Sequence, residues 1–226
     1  MNNVNIAIDG PSGAGKSTLA KAFAKKHNFI YVDTGALYRS IGLFASRNGI
    51  SLENIKQTVS LLPKIKLELI YKDGNQTVLL NGEDVGDNIR TPEISMYASA
   101  VSAIQEVRNF LLDLQRDIAS NNNVIMDGRD IGTVILPNAQ IKIFLSASSE
   151  ARASRRYKEL MEKGVLTTYE EVLNDMLTRD KNDSTREVAP AIPAEDAVFL
   201  DNSGDTILQT VSKIEEIAKE KLGYAL

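Results

Sequence analysis

The chain has 226 residues, 43% of them hydrophobic and 25% charged, with a net charge of −4 and no cysteine. That length can bury one substantial core, or a core with small appendages. The absence of cysteine excludes disulfides and thiolate metal sites, and the acidic balance argues against general nucleic-acid binding, which usually needs a basic surface, so any cationic site must be local. No apolar run reaches the roughly 18 residues a membrane span needs. The N-terminus lacks the charged-then-apolar plan of a signal peptide, so a cytoplasmic protein with no membrane partner is expected.

The first element is a short apolar run, Val4–Ile8, that reads as a buried strand. It runs through Gly10-Pro11-Ser12-Gly13-Ala14-Gly15-Lys16-Ser17-Thr18 into a helical stretch from Ser17 to Lys26. The spacing matches G-x-x-x-x-G-K-[ST] at Gly10, Gly15, Lys16 and Ser17. In such a loop the glycines let backbone N–H groups converge on phosphate oxygens. Lys16 neutralises the β/γ-phosphates, and the Ser17 hydroxyl can ligand Mg²⁺. The following helix points the positive end of its dipole at the same oxygens. The single histidine, His27, ends this helix beside Lys25 and Lys26, where helix-end solvation or dipole pairing explains it better than catalysis.

Further short apolar runs at Phe29–Val32, Val124–Met126, Ile141–Leu145 and Val198–Leu200 alternate with helical patterns, which predicts an α/β layer fold. Two segments break that rhythm. Ile65, Leu67, Leu69 and Tyr71, then Val78 and Leu80, alternate around Lys72-Asp73-Gly74-Asn75 and read as a hairpin. Asn81-Gly82 offers a second tight turn toward a short third strand near Asp84-Val85, so a small antiparallel subdomain is expected to protrude from the core. The second break, Ser149 to about Thr168, is a charged helical stretch carrying Arg152, Arg155 and Arg156 and ending at Gly164. Its charge alone suggests a solvated helix face.

Three clusters narrow the chemistry. Tyr31-Val32-Asp33-Thr34-Gly35-Ala36-Leu37-Tyr38-Arg39 follows the second strand, and Asp127-Gly128-Arg129-Asp130 follows the third. Strand ends on the carboxyl side of such a sheet open onto the ligand crevice. Arg179, Asp183 and Arg186 recur at near-helical spacing and can share a face. Each cluster sets arginine beside carboxylates. In a chain with no cationic excess, that points to bidentate gripping of a second phosphate.

With these motifs the chain resembles the bacterial-type cytidylate kinases, from Ile6 to about Asn202. The resemblance lies in IAIDGPSGAGKST (6–18), YVDTGALYR (31–39), MDGRDIGTVILPNA (126–139) and the Arg179/Asp183/Arg186 array that runs into Val188-Ala189-Pro190. It implies a three-layer P-loop NTPase-type core (about 1–33, 100–147 and 167–226) around a five-stranded parallel sheet. An antiparallel monophosphate-binding insert (about 34–99) and a helical lid (about 148–166) would complete a single kinase domain. It implies transfer of the ATP γ-phosphoryl group to CMP or dCMP with Mg²⁺, by a monomer. Arg39, Arg129 and Arg186 would grip the CMP phosphate, with Ser12, Asp33 and Tyr38 nearby. Arg179 and Asp183 would contact the sugar, and Ser99, Arg108 and Asp130 would read cytosine. Thr34 stands where many relatives have serine, and Ser17 where some have glycine.

The residue chemistry agrees. Cytosine offers a donor amine to a carboxylate such as Asp130 and acceptors to an arginine such as Arg108, whereas uracil sets an acceptor against the carboxylate. The donor side is assigned to residues Gly10 to Thr18, with Arg152, Arg155 and Arg156 of the lid. Asp127 either orients Mg²⁺ through water, with Ser17, or orients Arg129 and Arg39. No general base is required, because the acceptor oxygen is already anionic. A kinase for UMP or shikimate is the nearest rival, and the insert with Ser99, Arg108 and Asp130 argues against it. A GTP switch would carry N-K-x-D, which Lys181-Asn182-Asp183-Ser184 does not form.

Overall fold

The computed structural model describes residues 3–72 and 75–224. Five strands, β1 (Asn5–Asp9), β2 (Ile30–Asp33), β6 (Val124–Asp127), β7 (Ile141–Ser146) and β8 (Val198–Asp201), form a sheet in the order β2-β6-β1-β7-β8. Every pairing in it is parallel. These are the five expected runs, each within a residue of its predicted ends. They are apolar almost throughout because both faces of the sheet are covered. Side chains alternate between the faces. Ile6 and Ile8 pack with Phe23, Leu19 and Ile214 on one side, while Ala7, Val32 and Met126 pack with Ile131 and Ala119 on the other. The first face is covered by α1 (Lys16–His27) and α7 (Ile207–Leu222), the second by α4 (Gln105–Asn121) and by a single π-type turn at Ile131–Ile135.

His27 ends α1, with its Nε2 2.7 Å from Glu215 on α7 and its ring against Phe23. The helix-end role expected of it therefore takes the form of an inter-helix contact.

The expected hairpin is β3 (Leu67–Lys72) against β4 (Asn75–Leu80), and β5 (Glu83–Asp84) adds the short third strand. The predicted turn at Asp73-Gly74 lies outside the described residues. The second turn has both central residues left-handed, Asn81 at φ 51° and Gly82 at φ 85°, the geometry an Asn-Gly hairpin turn favours. This small sheet is one wall of a second apolar core, with α2 (Thr34–Arg47) and α3 (Pro92–Val101). Val107 and Leu111 of α4 belong to that core too. α3, which spans residue 99, and the start of α4 thus share this core with the small sheet.

The arginine-bearing stretch forms α5 (Ser149–Glu162), which stops before Gly164 as expected, and α6 (Tyr169–Thr185) begins just beyond it. A capping box, in which Thr168 and Glu171 bond each other's backbone, begins α6. Ala153 and Leu160 pack on Val172 and Met176, so this segment has an apolar side and is not a solvated helix alone.

Candidate active site

The carboxyl ends of β1, β2 and β6 meet at one crevice. At the end of β1 the chain turns at Gly10, where φ is 147° and an added Cβ would stand 2.0 Å from the Leu145 carbonyl; only glycine fits. The loop then enters α1. Lys16 is 6% exposed, and its Nζ donates to the carbonyls of Gly10 and Pro11, each at 2.7 Å. Burial, followed by the positive charge of Arg129, holds its pKa well below the usual lysine range. Ser17 donates to Asp127 Oδ2 at 2.9 Å, and Tyr31 donates to Asp127 Oδ1 at 2.8 Å. Burial and the neighbouring Asp33 push the Asp127 carboxyl up to about 6.

Sequence reasoning left Asp127 two roles. Its oxygens take the two hydroxyls, while Arg39 pairs with Asp33 at 3.0 Å and Arg129 with Asp183 at 3.0 Å. Asp33 also caps α2 by accepting from the Ala36 N–H. Thr34 spends its hydroxyl on the Asp127 carbonyl.

The second wall holds a pocket lined by Thr34, Tyr38, Ser99, Arg108, Arg129, Asp130, Arg179, Asp183 and Arg186 among others. Nine residues singled out from sequence thus converge there, from β2–α2, α3, α4, the end of β6, α6 and the segment just after it. Arg108 pairs with Asp130 and lies over the Tyr38 ring, 5.7 Å from its centroid. Burial drives Asp130 upward in pKa, against the pull of Arg108 and Arg186. Asp183 accepts from Ser99 at 2.8 Å as well as from Arg129; burial would raise its pKa, but Arg129 and Arg179 outweigh it and the net shift is downward.

Arg186 departs from expectation. α6 ends at Thr185, and Arg186 follows in extended backbone (φ −63°, ψ 144°), so it shares no helix face with Arg179 and Asp183. Its side chain still reaches the pocket, donating to Ser102 Oγ at 2.6 Å and lying 3.6 Å from Asp130.

Two guanidinium nitrogens, Nε of Arg39 and Nε of Arg179, are buried without a hydrogen-bond partner among the described residues. Burial, then repulsion from Arg129, lowers Arg179 to about 10. Such donors are costly to strand, and cations this crowded call for an anion between them.

The lid arginines divide. Arg152 donates to the Ser12 carbonyl at 2.7 Å, and Arg155 donates to the Asn202 carbonyl at 2.8 Å, close to Gly15. Arg156 pairs with Glu159 of its own helix at 2.9 Å and is not brought to the loop.

Several participants went unnoticed in the sequence. Asp9 accepts from the N–H groups of Ile131 and Gly132 at 2.7 and 2.8 Å, and burial pushes its carboxyl up to about 6. Its place at the carboxyl end of β1 was the available signal. Gln76 brackets the Asp33 backbone, and Ser102 holds both Arg108 and Arg186; no local pattern marks either. Among the described residues no group of three or more His, Cys, Asp or Glu could hold a metal.

A family model described as Cytidylate kinase matches residues 6–220. A cytidylate kinase from Caldicellulosiruptor saccharolyticus is 48% identical over 223 residues, covering 99% of each chain. One from Carboxydothermus hydrogenoformans is 49% identical over 96% of this chain and 98% of its own. Among solved structures, an uncharacterized protein from Eubacterium ventriosum superposes with a TM-score of 0.52 at 14% identity, covering 96% of this chain and 99% of that one, and shares the fold.

Proposed function

Because the chain belongs to the cytidylate kinase family, we infer that it transfers the γ-phosphoryl group of ATP to CMP or dCMP, giving ADP and CDP or dCDP. The observation that carries the site assignment is the crowd of cations beside the phosphate loop, two of whose buried guanidinium N–H donors have no partner among the described residues. A monophosphate supplies the oxygens they lack.

Phosphoryl transfer asks the protein mainly to hold two phosphates in line and neutralise them. Lys16 and the loop N–H groups take the donor, with Arg155 alongside. For this, Nζ leaves the Gly10 and Pro11 carbonyls. Arg39, Arg129 and Arg186 take the acceptor phosphate, Arg179 and Asp183 the sugar. An anionic acceptor oxygen attacks the γ-phosphorus with no base to deprotonate it. Asp130 accepts from the cytosine amine while Arg108 donates to the ring acceptors, and Ser99 lies beside them.

Ser17 and Asp127 fit a Mg²⁺ site: a hydroxyl and a carboxylate 2.9 Å apart at the loop, a hard-oxygen pair that leaves most positions to phosphate and water. Bound there, the ion would screen the β/γ charge. A monomer acting on free nucleotides in the cytoplasm completes the proposal; among the described residues no helix is long and apolar enough to cross a membrane.

The test is ADP release with a panel of acceptors, run on the wild type and on Asp130→Asn. CMP and dCMP should be the best substrates, with UMP, AMP and GMP far behind. The variant should lose activity toward CMP and show a CMP-to-UMP ratio lowered by up to roughly ten- to hundredfold, since an amide can donate to the uracil oxygen. A wild type that prefers AMP would refute the acceptor assignment, and an unchanged ratio would remove Asp130 from base reading.

A further inference from the structure

Asp180 has no part in that mechanism, yet it touches the phosphate loop. Its Oδ1 accepts the N–H of Ser12 at 2.8 Å, and its Oδ2 pairs with Nη1 of Arg152. The same Nη1 donates to the Ser12 carbonyl at 2.7 Å, while Arg152 Nε is anchored on the Ala147 carbonyl at 3.0 Å. One ion pair thus holds both polar backbone groups of Ser12. The neighbouring Gly13 is pressed against the same helices, since an added Cβ would lie 2.6 Å from Met176 Cε and 3.2 Å from Arg152 Cβ. One residue before Asp180 along α6, Arg179 turns toward Asp183 in the acceptor pocket. Consecutive residues of one helix therefore contact the two substrate sites.

A bare carboxylate this close to bound phosphate would repel it, but Arg152 neutralises the charge. The Ser12 N–H is already taken, so in this arrangement the pair acts on the loop and not on a phosphate. We propose that Asp180 is a positioning residue that locks the Ser12 peptide to α6, so that donor and acceptor nucleotides strengthen each other's binding through that helix. The proposal rests on ATP phosphates occupying the loop and CMP occupying the pocket at Arg179 and Asp183. Coupling of this kind is reciprocal, so either ligand can report it.

The experiment is calorimetric titration of CMP into wild type, Asp180→Ala and Asp180→Asn, with and without saturating AMP-PNP as a non-hydrolysable ATP analogue. Wild type should bind CMP about five- to tenfold more tightly with the analogue present, within the usual range of such couplings. Asp180→Ala should bind CMP alone within about twofold of wild type but lose nearly all of the gain, and its kcat/KM for ATP should fall about tenfold. Asp180→Asn keeps an acceptor for the Ser12 N–H but not the ion pair, and should fall between. A full gain in Asp180→Ala overturns the proposal, as does a wild type that binds CMP without any gain. Loss of CMP binding in Asp180→Ala together with a lowered Tm would show a general structural role and overturn it too. If wild type bound no CMP at all, the acceptor assignment itself would fall, and the coupling with it.

Discussion

At Asp127 the proposed role in transfer and the demands of folding oppose each other. The carboxylate is buried, faces Asp33, and is held by the Ser17 and Tyr31 hydroxyls. With its pKa pushed up to about 6 from 3.8, the folded protein binds this proton more tightly than the unfolded chain does. Below about pH 4 both states are protonated and the residue costs nothing. The cost grows as pH rises to about 6 and is constant above. Without nucleotide, Asp127→Asn should therefore be more stable than wild type by about 1–3 kcal/mol at pH 7.5, because the two hydroxyls can turn to suit an amide. Thermal melts from pH 8 to 4 should show that difference shrinking toward zero on acidification, while transfer activity is lost throughout. A difference independent of pH would contradict the assignment. Lys16, Ser17 and Arg129 could be singled out in the sequence from loop spacing and strand-end position, and Asp183 from its helical spacing to Arg179, without any knowledge of partners. Asp9, Ser102 and Asp180 could not. Each acts through a contact made across more than 80 residues, which no local pattern encodes.

The elements divide in the same way. The five core strands could be read because strands covered on both faces are short, apolar and bounded by turns. The small sheet could be read because its period of two and the Asn81-Gly82 turn between β4 and β5 are local chemistry. The 3₁₀ stretch at Leu52–Lys64, which contains Pro63, and the π-type turn at Ile131–Ile135 have no such signature. Arg186 lies just past its helix for a related reason, since spacing predicts a face only while the helix lasts. The insert sheet reaches the site through Gln76. Gln76 Oε1 on β4 accepts the Asp33 N–H at 2.9 Å, and its Nε2 donates to the Asp33 carbonyl at 3.4 Å. Asp33 in turn holds Arg39. Removing the amide should cost about one hydrogen bond, on the order of 1 kcal/mol. Gln76→Ala should then raise KM for CMP by about three- to tenfold and leave KM for ATP near wild type. Equal changes in both constants would mean that β4 serves overall stability and not the acceptor side.

At the scale of the whole molecule, the nucleotide-loop sheet and the core beneath the insert form distinct apolar clusters, with Leu69 packing on both. Polar pairs join them: Thr34 with the Asp127 carbonyl, Arg108 with Asp130, and Ser99 and Arg129 with Asp183. Joints of this kind open more readily than an apolar core, because water can replace each bond in turn. In the proposed site, CMP would span them. Hydrogen exchange followed by mass spectrometry should therefore show CMP slowing exchange in α2, α3 and the start of α4, with little change in β7 and β8. Uniform protection of the chain would indicate general stabilisation by mass action, and no protection of α3 would count against the proposed pocket.

Asp9 has a consequence of its own. It immediately precedes Gly10, where the donor loop begins, and its two oxygens hold Ile131 and Gly132, which immediately follow Asp130 at the pocket. On the proposed assignment, the segment that would carry ATP and the segment that would face the cytosine are thus joined through a single side chain of fixed length. Asp9 would then act as a spacer for the gap the phosphoryl group must cross. Glutamate at this position would keep the charge and both acceptor oxygens while changing only that distance.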